Sequence, residues 1–208
     1  MKNILIHGLG QNSKDWDTIK NELETRGISS VAPDLFDLAK GRKLDYPTVY
    51  QAFSELCESY QDKLNLCGLS LGGLLALNYA IQYPKKINSL VLIGTPFEIP
   101  KGLLKFQNIV FRFMPKAVFQ NMGVSKKDFI RLSKSMVDLN FMDSATALDC
   151  PALILCGAKD KTNMESAKRF HEAMKNSKLV IVEDSGHEVN KDNPRKLVSV
   201  LQDFWVDN

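Results

Sequence analysis

Apolar residues fall in short consecutive runs, not in alternation with polar ones, at Asn3–His7, Ser29–Ala32, Leu64–Cys67, Ser89–Ile93, Ala152–Cys156 and Lys178–Val182. Runs of this kind read as strands buried on both faces. Helical patterns occupy Asp15–Arg26, Thr48–Gln61, Leu71–Tyr83, Glu165–Lys175 and Pro194–Trp205. The last has Asn193 as its N-cap and Pro194 at its first helical position. Alternating strands and helices predict βαβ units with right-handed crossovers. The fold class is therefore α/β, a mostly parallel sheet of about six strands flanked by helices.

The rhythm fails between Pro96 and Leu148, where the sequence holds no good strand and reads as helices. Leu103, Phe106, Val110 and Phe113 share one helical face, opposite Lys105, Asn108, Arg112 and Lys116, and Pro115 ends or kinks that helix. A second helix is capped by Ser125 with Asp128 three residues on, and carries Phe129, Leu132, Met136 and Leu139 on one stripe. An insertion between two strands of a parallel sheet suggests a cap or lid. The expected division is a core at 1–96 and 149–208 and a helical cap at 97–148.

Composition narrows the class. The 208 residues are 44% apolar and 25% charged, the make-up of a soluble globular chain able to bury a core. No run approaches roughly 18 uninterrupted apolar residues, so no membrane span is expected. A net charge of +3 is too small to argue for nucleic acid. Met1-Lys2-Asn3 enters a strand at once, which leaves no room for a signal peptide and predicts a cytoplasmic protein. Cys57, Cys67, Cys150 and Cys156 form no Cys-x-x-Cys pair and read as free thiols used as small hydrophobes. His7, His171 and His187 have no metal-ligand spacing, so no metal site is expected.

The chemistry gathers at predicted strand ends. Gly68-Leu69-Ser70-Leu71-Gly72 follows one strand and opens a helix, the context in which a sharp turn exposes a serine hydroxyl. A serine is a poor nucleophile until a base takes its proton. The base candidate is His187, in Gly186-His187 after the last strand, and the orienting acid is Asp160, after the strand before it. Both lie where open α/β sheets assemble their sites, in the chain order Ser, Asp, His. Asp184, three residues before His187, remains a second candidate for the acid. Backbone N–H groups of Leu71 and of Leu9, in His7-Gly8-Leu9-Gly10, are the expected oxyanion donors, with His7 orienting that loop. A rival reading takes Gly8-x-Gly10-x-x-Ser13 with Asp34 as a dinucleotide fingerprint. It lacks the third glycine and leaves Ser70, Asp160 and His187 as coincidence.

These residues resemble the α/β-hydrolase superfamily. His7-Gly8 with Trp16, Pro33-Asp34-Leu35, the turn around Ser70, Gly157-x-x-Asp160 and Gly186-His187 match its signposts over nearly the whole chain. The resemblance implies the strand order 2-1-3-4-5-6, a cap after the strand that follows the elbow, and no cofactor. Two departures stand out: the usual N-terminal hairpin is expected to be absent, and Phe36-Asp37 replaces the Arg-Gly that often follows Pro-Asp-Leu. The resemblance implies hydrolysis of a carboxylic ester or thioester through an acyl-enzyme, with a small-molecule acyl substrate.

The cap gives the hints about substrate. Seven of eleven phenylalanines fall there: Phe97, Phe106, Phe111, Phe113, Phe119, Phe129 and Phe141. They either line an apolar acyl pocket, with Phe97, Phe106 and Phe113 as its walls, or form the core of a small helical subdomain. Residues 101–134 also carry eight Lys or Arg against one acid. That asymmetry suits an anionic substrate or carrier at the mouth, peripheral contact with anionic lipid, or a solvated helix face. Lyase, C–C hydrolase or haloperoxidase-like chemistry on the same scaffold, and a non-enzymatic small-ligand binder, remain alternatives.

Overall fold

A computed structural model describes residues 1–96, 111 and 114–208. Six strands form one sheet: β1 (Lys2–Ile6), β2 (Ser30–Val31), β3 (Leu64–Leu69), β4 (Ile87–Ile93), β5 (Ala152–Gly157) and β6 (Ser177–Val182). Their order is β2-β1-β3-β4-β5-β6 and every pairing is parallel. The fold class read from the sequence and the strand order that the family resemblance implied are those observed. Strand limits differ by a residue or two: β3, β4, β5 and β6 pair slightly beyond the expected runs, whereas β2 is shorter than its run and β1 ends one residue before its run does.

The helices are α1 (Asp17–Thr25), α2 (Leu35–Leu38), α3 (Tyr46–Ser59), α4 (Leu71–Gln82), α5 (Lys116–Asn121), α6 (Lys126–Ser135), α7 (Met142–Ala145), α8 (Met164–Ala173), α9 (Val189–Asp192) and α10 (Pro194–Val206). Successive strand residues point to opposite faces, and both faces are covered. Leu5, Cys67, Leu69, Val91, Ile93 and Leu155 pack under Trp16, Ile19 and Leu23 of the α1 side and Leu197, Leu201 and Phe204 of α10. Ile4, Ile6, Leu66, Leu92 and Ile154 face the other way, toward Phe53 of α3, Leu74 and Leu75 of α4, and Phe170 of α8. Burial on both faces is why these strands carry no polar alternation.

Three caps start helices where the sequence placed polar residues. Asp45 accepts from Thr48 N–H at α3, Ser125 from Asp128 N–H at α6, and Asn193 from Lys196 N–H at α10. Short α2 is capped by Asp34, whose carboxylate accepts from the N–H groups of Phe36 and Asp37. That carboxylate is committed to the backbone, which removes the dinucleotide reading of Asp34. Phe119, Phe129, Leu132 and Met136 of the 97–148 insertion belong to the same buried cluster as the α3 and α4 face of the sheet. Ser135 Oγ also accepts from Tyr46 N–H at 2.7 Å, which seats α6 on the start of α3.

Candidate active site

Ser70 joins β3 to α4 with φ 54° and ψ −110°. Only Ser70 and Asp184 among the described non-glycine residues hold positive φ. Such a conformation costs about 1–3 kcal/mol and persists where surrounding contacts enforce it. Here Ser70 N–H donates to Ile93 O at 2.9 Å, and its carbonyl accepts from Leu74 N–H at 3.0 Å. The turn closes because Gly68 and Gly72 have no side chains. A Cβ on Gly68 would collide with the Gly72 carbonyl, and one on Gly72 with the Ile6 carbonyl.

His187 Nδ1 lies 2.7 Å from Asp160 Oδ2. Asp160 follows β5 and His187 follows β6, and the two loops are laced together by Ala158 N–H to Val182 O and Lys159 N–H to Ser185 O, both 2.9 Å. The Asp160 side chain is 5% exposed and that of His187 40%, so the acid is buried behind an imidazole that reaches solvent. Burial pushes the Asp160 carboxyl up, but hydrogen bonds from His187 and Asn163 outweigh it and hold the group below the usual carboxylate range. An ionised Asp160 accepts the Nδ1 proton and leaves Nε2 as the basic nitrogen. Asp184, the other candidate acid, is 90% exposed and pairs with Lys159 Nζ at 3.2 Å. The structure sets Asp160, not Asp184, against the imidazole.

Two residues at this pair are absent from the sequence reading. Gly94, at φ +51°, follows β4, and a Cβ there would stand 3.0 Å from His187 Nδ1 and 3.2 Å from Asp160 Oδ2. Its N–H donates to Leu155 O at 2.8 Å, so the backbone has little room to retreat. Gly94→Ala is expected to lower kcat at least about tenfold and stability by about 1–2 kcal/mol. Steady-state kinetics and urea unfolding check this, and a variant matching wild type in both would contradict it. The other residue is Asn163, whose side-chain amide donates to both carboxylate oxygens of Asp160. Its spacing of three from Asp160 is a local signal, but only the folded loops give it meaning.

The loop after β1 lies against the same turn. A Cβ on Gly8 would sit 3.5 Å from Ser70 Cβ. Gln11 N–H donates to Gly8 O at 3.2 Å, and Gly10 takes φ +95°, the sign that the third position of a type II turn demands. Half-buried Leu9 therefore sits at the tip of a tight turn beside Ser70. Leu71 is the first residue of α4, whose N–H has no intrahelical acceptor. Fully buried His7 fixes the loop: Leu35 N–H donates to Nε2 at 3.0 Å, so Nδ1 carries the proton and donates to Gly8 O at 2.9 Å. Burial lowers its pKa, which keeps the ring neutral and structural. Gln11 Nε2 then reaches Glu188 Oε1 at 2.7 Å and Asn190 Oδ1 at 3.2 Å, tying this loop to the one that carries His187.

Of the phenylalanines in the 97–148 insertion, Phe119 and Phe129 are buried in packing. Their rings meet edge-on at 5.1 Å, and Phe111 meets Phe129 at 5.0 Å. Phe97, Phe106 and Phe113 lie outside the described residues. The 97–148 insertion approaches this loop through Met122, whose Cε would be 3.8 Å from a Cβ on Gly10. Two of its cations are held locally: Arg131 pairs with Asp128, and Lys126 Nζ donates to Met114 O at 2.7 Å. Cys57, Cys67 and Cys156 are buried free thiols and Cys150 is half-buried. Among the described residues, no helix is long and apolar enough to cross a membrane.

Residues 4–139 match the alpha/beta hydrolase fold family, and the chain belongs to it. It is 27% identical over 225 aligned positions to Lipase 3 of Moraxella sp., covering 88% of this chain and 70% of that protein. It is 24% identical to the putative 2-succinyl-6-hydroxy-2,4-cyclohexadiene-1-carboxylate synthase of Bacillus subtilis, covering 97% and 89% of the two chains. A solved esterase from Thermogutta terrifontis superposes with TM-score 0.82 at 18% identity, over 100% of this chain and 90% of that one, a likeness of fold.

Proposed function

We propose that the chain is a serine hydrolase that cleaves a carboxylic ester or thioester with an apolar acyl group through an acyl-enzyme intermediate. One observation carries the reading: a serine held at φ 54° stands at the end of β3, and a His187–Asp160 pair at 2.7 Å stands at the ends of β5 and β6. In this mechanism Ser70 Oγ attacks the carbonyl carbon while His187 Nε2 takes its proton. The oxyanion that forms meets the N–H groups of Leu9 and Leu71. Collapse expels the alcohol or thiol, to which His187 returns the proton, and water releases the acid by the same route. Asp160 holds the imidazole and offsets its transient positive charge. No step requires a cofactor.

The insertion at 97–148 serves as the cap in this reading. The lipase named among the relatives supports an apolar acyl group. The basic excess of the cap suits a substrate or carrier with an anionic group. A burst of product equal to the enzyme concentration, in rapid-mixing assays with activated esters of increasing acyl length, is the expected result. Turnover of an anionic acyl substrate should fall with added salt more steeply than that of a neutral one. Equal salt responses would remove the charge argument.

A second reading rests on the Bacillus relative, named a synthase and not a hydrolase: the same Ser70 and His187 serve lyase-type chemistry that does not acylate the enzyme. It fits a protein that gives no burst with any ester yet loses its activity when Ser70 is replaced.

A further inference from the structure

Within the hydrolase reading, we propose that Asn163 is a positioning residue that clamps the Asp160 carboxylate and thereby sets how strongly that carboxylate supports His187. Its amide nitrogen lies 3.0 Å from Asp160 Oδ1 and 2.9 Å from Oδ2, and its backbone N–H donates to Oδ1 at 3.3 Å. An ionised carboxylate has only acceptors. The amide must therefore face it with NH2, since the opposite orientation would set oxygen against oxygen. The same nitrogen is 3.2 Å from His187 Nδ1. Because Nδ1 already gives its proton to Asp160, this contact is a crowding of two donors around one acceptor and not a third hydrogen bond.

The consequence is geometric and electrostatic. With one oxygen shared between His187 and Asn163 and the other held by Asn163 alone, the carboxylate plane cannot rotate without losing a donor. Asn163 is 8% exposed, so water does not readily take its place. The amide also draws off part of the carboxylate charge. Among the described residues, the Cys156 thiol is a further titratable group against this cluster, its sulfur 3.8 Å from Asp160 O. Burial first, and Asp160 second, push that thiol up to about 12, so it stays neutral through the working range. Gly94 closes the remaining side without a charge.

Removing the amide has two expected effects. The imidazole loses a fixed partner, and kcat for ester hydrolysis falls about 10- to 100-fold in Asn163→Ala with KM changed less than about twofold. The carboxylate also keeps more of its charge. The acid limb of kcat/KM then moves to higher pH by about one unit, and Asp160 itself titrates at higher pH. Asn163→Asp keeps the volume, replaces the donors with a second carboxylate, and moves both midpoints further in the same direction.

The test combines pH–rate profiles with 13C NMR titration of the Asp160 carboxyl carbon in wild type, Asn163→Ala and Asn163→Asp. Both midpoints moving upward in the variants supports the clamp. Unmoved midpoints overturn it even if kcat falls, because loss of packing alone leaves them in place. The wild type gives a third readout that needs no variant: the Asn163 side-chain nitrogen signal should shift with the same midpoint as the Asp160 carboxyl, and a signal indifferent to it overturns the clamp. The NMR titrations need no substrate. A protein that hydrolyses nothing but shows these shifts sinks the hydrolase reading and leaves the clamp standing.

Discussion

Ser70→Ala is expected to lower ester hydrolysis by at least about 10,000-fold, equivalent to about 5 kcal/mol of lost transition-state stabilisation. The loss should appear in kcat with KM little changed, since the hydroxyl acts on the reacting carbon and not in holding the acyl chain. The fold should survive. Ser70 makes its recorded hydrogen bonds through the backbone, to Ile93 and from Leu74, and alanine keeps both. Alanine tolerates φ 54° no better than serine, so the two proteins should unfold at similar temperatures. Glycine is at ease there, so Ser70→Gly should be equally inactive and unfold at a higher temperature than Ser70→Ala. A Ser70→Ala protein that keeps more than about one hundredth of wild-type kcat would move the nucleophile elsewhere.

Asp160→Asn is expected to cost about 10,000-fold in kcat, because an amide at this position donates to Nδ1 and drives the imidazole proton onto Nε2, the nitrogen that must act as base. Asp184→Asn should stay within about twofold of wild type, since an exposed pair with Lys159 contributes little. The same substitution changes the response to acid. The folded-state pKa of Asp160 is depressed. Its contribution to stability is therefore complete above the unfolded value near 3.9 and is lost as pH falls through the lower folded value. The difference in melting temperature between wild type and Asp160→Asn should be widest near pH 5 to 7 and shrink toward about pH 2. A difference that grows on acidification would contradict the charge state assigned to Asp160.

The architecture was legible because its central strands are buried on both faces. β3 is buried along its whole length, and a run such as Leu-Asn-Leu-Cys-Gly-Leu has few other uses. Short α2 was not legible: four residues carry no period, and its cap Asp34 sits in a tripeptide that served instead as a family signpost. The site divides the same way. Ser70 was legible because its turn needs glycine at fixed offsets along one stretch of chain. Asp160 and Asp184 were not separable by spacing, and the 2.7 Å contact of Asp160 with His187 and the exposure of Asp184 distinguish them. Asn163 and Gly94 matter because three strand ends converge, which no local pattern encodes. The cap phenylalanines carried two readings, and Phe119 and Phe129 have gone to packing.

The most direct test of the central claim is labelling with a fluorophosphonate, which reacts with an activated serine whatever the natural substrate. Intact-mass and peptide analysis of wild type, Ser70→Ala and His187→Ala read the site and the stoichiometry. The expected result is one adduct per wild-type chain, on Ser70, absent from Ser70→Ala and slowed at least about 1,000-fold in His187→Ala. A folded wild-type protein that takes up no label, or takes it at another residue, would contradict the assignment of Ser70 as an activated nucleophile.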